Sequence, residues 1–598
     1  VLRAICKAAV LVCLAGSSLA APNAAQPNQP AASSSPVRAT TPKALQPDAA
    51  ARLERYPTDL DFLLAVDDLA AQRASNAGLV AEQFLSMIGA FDRTGDAWLE
   101  LSTAMGMDSR QAVDALLGQQ TTVALRTDAQ GTQQIAVRST VRRDARDRVT
   151  AAFKPSPRGL VRGVPVLSLG KGSIELAVCP SDVRASDGTP CSELILAPRG
   201  SGALFEDMLR ALREPPPDHA LDLAWASLRS MGPSPIALLL RGKHAPDAPQ
   251  EFFALTARPN ERGWSADFVA TRSMLDAGSG LLPAELMVDD ELRAPTASPL
   301  HHGVTHPEAL ARAMRNDAVL FMSGPVRPSL NADTRGRMPI TAAMSRFNFP
   351  ESIWSRLDGV TFVSVHAHPP VHLPAASSRD SDAQRDIVMC VAFPVNDIAS
   401  FAPIADAWGL SFAKGEPDVQ TPWQTAASPD DSASQSVPLA AVRALEVHGT
   451  PQSSGLVGPR GAIAWTFAIA AGQGETASPR GWWIVCAQTG DARAQPVVER
   501  AQALALDAAS PGDASGEIVF RFMSRPALMR QVTGARTAAP PAAPTTAASI
   551  GAALANRVRD EASSALDALD RVETVIRRRP TFNELFDGTI SIQMRSKP

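Results

Sequence analysis

Three histidines raise the question of chemistry first. They stand in TFVSVHAHPPVH, residues 361–372, as His366, His368 and His372. His-x-His on a strand is a metal-ligand spacing, because neutral imidazole is a common zinc ligand. A hydrolytic zinc centre takes three protein ligands, leaves one position open and uses a carboxylate as general base. These three histidines converge only if Pro369-Pro370 bends the chain back. No acidic residue accompanies them at a matching spacing, and His-Glu-x-x-His is absent from the chain. Strand alternation sets Val363, Val365 and Ala367 on one face and Phe362, Ser364, His366 and His368 on the other. The favoured reading is therefore a solvated polar strand end, with a metal-dependent hydrolase built on His366, His368 and His372 as the alternative. A second group, His301, His302 and His306 in LHHGVTH, falls in a linker stretch, and Glu308 after Pro307 reads as a helix start.

Other reactive motifs are weaker. GVPVLSLGKGS (163–173) imitates a phosphate loop, but its spacing departs from G-x-x-x-x-G-K-[ST] and Gly172 follows Lys171 where a hydroxyl is needed. It reads as strand–turn–strand. There is no G-x-S-x-G elbow. Ser201 in RGSGALFEDMLRAL precedes a helical pattern and fits an N-cap. SLNADTRG lacks the glutamate of a calcium loop. No motif implies a cofactor. Among the cysteines, Cys179 and Cys191 bound CPSDVRASDGTPC, a turn-rich loop that a disulfide could staple. Cys390 and Cys486 lie in apolar runs and read as buried thiols. No C-x-x-C occurs.

The elements that must position these residues come from a chain of 598 residues with net charge −4, 45% hydrophobic and 20% charged residues. That charge excludes nucleic acid as the expected partner, since a phosphate-binding surface needs clustered cations. The N-terminus, Arg3 and Lys7 followed by an apolar run and Ser18-Leu19-Ala20, reads as a signal peptide over 1–20. The expected location is periplasmic or extracellular. No later apolar run reaches the roughly 18–20 residues of a membrane span, so no transmembrane segment is expected after cleavage.

Residues 21–50 are rich in Ala, Pro, Ser and Gln and read as a disordered leader. The remainder reads as an internal duplication. DLDFLLAVDDL (59–69) pairs with NDAVLFMSGPV (316–326), and TTVALR (121–126) with TFVSVH (361–366). QIAVRSTVRRDARDRV (134–149) pairs with DIVMCVAFPVNDIASF (386–401), and LILAPRG (194–200) with IVCAQTG (484–490). ALDLAWASL (220–228) pairs with SGEIVFRFM (515–523), and GWSADFVATRSM (263–274) with FDGTISIQMRSK (586–597). The expected class is α+β: two tandem-duplicated domains, 52–290 and 310–598, each a mainly antiparallel sheet with packed helices, joined by a linker over 291–309. Loop insertions are placed near 369–384, 415–438 and 535–549. In this pairing His366 falls opposite Arg126, so the twin copy carries a different polar residue there. Residues 550–576 show an amphipathic helical stripe of Ile550, Leu554, Val558, Leu566, Leu569, Val572 and Ile576.

The leader, DLDFLLAVDDL, ALLGQQTTVALR and SELILAPRG together resemble an uncharacterised family of exported bacterial proteins with a duplicated domain of unknown function. That resemblance implies no activity. The expectation is an exported, non-enzymatic cell-envelope protein that binds or scaffolds an unidentified protein or apolar ligand. A further alternative is a peripheral membrane protein docking through the 550–576 helix.

Overall fold

The computed structural model describes residues 48–68, 102–169, 174–184, 189–214, 222–242, 251–274, 308–326, 340–368, 386–412, 442–448, 460–469, 481–489, 494–509, 518–526, 569–578 and 585–594, with short breaks inside some of these stretches. The leader, the linker and the three insertions lie outside them, apart from 48–50 and 308–309.

Strand dominates, and this corrects the α+β expectation. Nineteen strands and nine α-helices are present among the described residues, and the strands pair antiparallel, so strand, not a balance of strand and helix, sets the class. The physical reason is β-branched and aromatic content in stretches whose apolar spacing also fits a helix. Leu569–Arg578, expected as the last turns of an amphipathic helix, is a strand. Its Val572, Thr574, Val575 and Ile576 pair with neighbouring strands on both sides. The apolar stripe at Leu569, Val572 and Ile576 is therefore not a helical stripe, and the rest of the expected helix, 550–568, lies outside the described residues.

Two compact units are present. The first holds β1 (Phe62–Asp67), β2 (Gln120–Thr127), β3 (Gln133–Arg142), β4 (Lys154–Val161), β5 (Val164–Leu169), β6 (Ile174–Arg184), β7 (Pro190–Pro198), β8 (Ile236–Arg241), β9 (Phe252–Asn260) and β10 (Gly263–Thr271). Its pairings run β4-β5-β6-β7-β3-β2-β1-β8-β9-β10. Its helices are α1 (Ala49–Leu53), α2 (Ser109–Leu117), α3 (Arg143–Ala152), α4 (Gly202–Arg213) and α5 (Leu223–Ser230). A reciprocal capping box starts α2: the Gln111 amide donates to Asp108 Oδ1 at 2.8 Å and the Asp108 amide to Gln111 Oε1 at 3.3 Å.

The second unit holds α6 (Glu308–Arg315), β11 (Ala318–Val326), α7 (Glu351–Trp354), β12 (Gly359–His368), β13 (Asp386–Val395), α8 (Ile398–Ser411), β14 (Arg443–His448), β15 (Arg460–Ile469), β16 (Gly481–Thr489), α9 (Ala494–Ala509), β17 (Ile518–Ser524), β18 (Leu569–Arg578) and β19 (Leu585–Met594). Its pairings run β14-β15-β16-β13-β12-β11-β17-β18-β19. With β4 set aside, strand order is the same in both units. One sequence pairing is shifted: 223–230 is helix α5, started by Asp222 accepting from the Ala224 and Trp225 amides. The strand that corresponds to β17 is β8, further along.

In the second unit helices cover both faces of the sheet, which explains why β16, GWWIVCAQT, is apolar without alternation. One face carries Phe362, Cys390, Ala392, Trp482, Ile484 and Cys486 against Leu310 and Met314 of α6 and Val497, Ala501, Leu504 and Ala505 of α9. Small residues on both sides, among them Ala462, Ala464, Ala501 and Ala505, let α9 lie close to the strands. The opposite face is aromatic. Trp483 meets Phe393 at 4.7 Å and Trp408 of α8 at 5.3 Å between ring centroids, both edge-on. Gly409 lets α8 approach, since a Cβ there would run into the Trp465 ring.

Candidate functional site

The alternation expected for 361–368 is found, but its consequence for solvent is not. Phe362, Ser364 and His366 do share a face, and that face is covered by α6, with Arg500 of α9 reaching His366 from the side. His366 is buried at 7% exposure, so the expectation of a solvated strand end is corrected. The cause is tertiary: α9 begins more than a hundred residues later, and nothing local to 361–372 signals its arrival.

His366 Nε2 lies 2.9 Å from Ser364 Oγ and 3.1 Å from Arg500 of α9, whose guanidinium also lies 3.4 Å from Nδ1. The ring is also hydrogen-bonded to the Asp317 backbone. The carbonyl there accepts a hydrogen bond from one ring N–H, so the other nitrogen of the neutral ring can accept from Arg500. Burial, with the Arg500 charge second, lowers the His366 pKa from 6.5 to about 3. Arg500 itself is half-buried and donates to the Ala313 carbonyl at 3.1 Å.

Register extends the site across the sheet. Ser364 stands opposite Cys390, and Cys390 stands opposite Cys486. The row Ser364–Cys390–Cys486 crosses β12, β13 and β16 on the face that α9 covers, with the two sulfurs 2.7 Å apart. Burial raises both thiols. For Cys390 the hydrogen bond from Cys486, the Arg500 charge and hydrogen bonds from Arg500 and Ser364 outweigh it, and its pKa falls. Cys486, buried and next to the Cys390 sulfur, is pushed well above the usual thiol range.

The twin position in the first unit shows what such a strand residue does. Arg126 pairs with Asp207 of α4 at 2.7 Å and with Asp59 at 2.8 Å, and also reaches Gln134 at 3.3 Å. Two residues back, Ala124 stands opposite Ala136, where the second unit has Ser364 opposite Cys390. Both units thus anchor a helix to this strand through a polar side chain, with different residue types. The twin residue has the same bracing role.

The remaining sequence candidates are placed as follows. His368 continues β12 opposite Asp386, and His372 lies outside the described residues. His301, His302 and His306 also lie outside them, while α6 starts at Glu308 as expected. Cys179 and Cys191 are buried thiols. Cys179 stands opposite Glu193, which leaves Cys191 on the diagonal, and the Cys191 sulfur lies 3.5 Å from Gln119 Oε1. Ser201 occupies the N-cap position of α4 without capping it; its hydroxyl instead accepts from the Ile135 amide of β3 at 2.9 Å. β5 and β6 flank 170–173 as a hairpin. Among the described residues no group of three His, Cys, Asp or Glu could hold a metal ion, and no helix is long and apolar enough to cross a membrane.

Sequence reasoning missed Arg500 and the facing of Cys390 with Cys486. Both apolar runs carrying the thiols were visible, but only the β13–β16 register joins them, and 96 residues separate the two. No protein-family profile, curated protein or solved structure matches the chain.

Proposed function

We propose that this chain is an exported cell-envelope protein that binds or scaffolds a protein or apolar partner and performs no catalysis. The observation that carries the reading is the use made of His366. A ring nitrogen faces the Arg500 guanidinium of α9, and the ring is buried. An imidazole held by a cation cannot present the same lone pair to a metal ion. Its twin, Arg126, braces the equivalent helix. The most chemically suggestive residue in the sequence therefore serves the fold. The signal-like N-terminus supports export.

The test is binding of the purified mature chain to cell-envelope fractions, with and without a chelator. Saturable binding unaffected by chelation is expected. Absence of saturable binding, or a chelator-sensitive hydrolytic activity, overturns the reading.

A further inference from the structure

We propose that Cys390 and Cys486 form a cross-strand disulfide between β13 and β16, closed by thiol–disulfide exchange with a low-molecular-weight disulfide as the chain folds. The two residues are direct register partners. Directly opposed residues in an antiparallel pair have Cα atoms about 4.5 or 5.5 Å apart, and both values fall inside the roughly 4.4–6.8 Å that a disulfide spans. The side chains share the face under α9, and the sulfurs already touch at 2.7 Å. Cys179 and Cys191 provide the contrast. Their diagonal placement implies about 7–8 Å, at or beyond the limit. The loop-ended pair that looks like a staple in sequence is thus the worse-placed one.

The balance is the same whichever thiol reacts first. With Cys390 first, its thiolate attacks one sulfur of the small disulfide and expels its first thiolate. The Cys486 thiolate then attacks the Cys390 sulfur of the mixed disulfide and expels the second. Two protein thiols become one S–S bond, the small disulfide is reduced to two thiols, and the two protons are taken up by the departing thiolates. Both cysteines are fully buried in the folded chain, so exchange belongs to the stage before α9 closes over the strands. The bond then joins strands that are neighbours in space but distant in sequence.

The proposal is independent of where the chain resides, because the oxidant is supplied in the test. The mature protein is refolded from denaturant with glutathione disulfide as probe, alkylated under denaturing conditions without reductant, and digested with trypsin. The expected product is the 386–414 peptide linked to the 481–493 peptide, lighter by two hydrogens than their sum. A parallel preparation refolded under reductant should unfold about 5 °C lower. The Cys390→Ala/Cys486→Ala variant should show no such difference between the two preparations. Alkylated Cys390 and Cys486 in protein that has regained a cooperative thermal transition overturns the proposal. So does a redox-dependent midpoint that persists in the double variant. If oxidised protein fails to regain that transition while reduced protein succeeds, the bond does not fit the native register and the proposal is equally overturned.

Discussion

Protonating His366 should destabilise the second unit, and the size of the effect follows from its environment. The folded pKa is about 3 against 6.5 for an unperturbed histidine. Between those values the unfolded chain binds one more proton than the folded chain, so stability rises with pH across this window. The contribution is fully present above about pH 6.5 and is lost as pH falls toward about 3. The full span is worth up to about 5 kcal/mol at 1.36 kcal/mol per unit, and about 2 kcal/mol is lost between about pH 7.5 and about pH 5. His366→Gln keeps a polar side chain of similar reach but cannot titrate in this range. Urea unfolding of wild type and variant at matched pH isolates the term, because carboxylates titrate equally in both. The stability difference between wild type and variant should shrink by about 2 kcal/mol, in favour of the variant, on going from about pH 7.5 to about pH 5. A difference that stays constant with pH, or one that grows as pH falls, refutes the assignment of His366 as a buried neutral ring.

Three further substitutions test the bracing and the packing. Arg126 is 13% exposed, Asp207 24% and Asp59 57%. Arg126→Met should cost about 1–2 kcal/mol by leaving the partly buried Asp207 to the more distant and more exposed Arg210 at 3.4 Å, whereas Asp59→Asn should change stability by no more than about 0.5 kcal/mol; urea unfolding of both variants checks the ratio. Gly409→Ala drives a methyl group into the Trp465 ring and should cost about 1–3 kcal/mol, read as a lower thermal midpoint with a changed near-ultraviolet tryptophan signal.

Local pattern revealed a good part of this fold. The runs FLLAVD, TTVALR, TFVSVH and IVMCVAF are strands because β-branched and apolar residues alternate or fill buried positions. The start of α6 at Glu308, after Pro307, was equally legible. What failed was every inference that depended on a distant partner. The segment 569–578 has apolar residues at helical spacing, and only pairing with β17 and β19 settles it as strand. The polar side of 361–368 reads as solvent-facing until α6 and Arg500 of α9 cover it. The thiols of Cys390 and Cys486 are unremarkable in sequence, and only register makes them neighbours. The helix α5 was hidden because ALDLAWASL is as apolar as a strand, while its start rests on the Asp222 side chain.

The central claim is that His366 belongs to the fold and not to a metal centre. Equilibrium dialysis of the refolded chain against zinc, followed by elemental analysis of wild type and His366→Gln in parallel, tests it most directly. Equal zinc content in the two proteins is the predicted result. Stoichiometric zinc in the wild type, lost in a His366→Gln variant with unchanged circular dichroism, would contradict it.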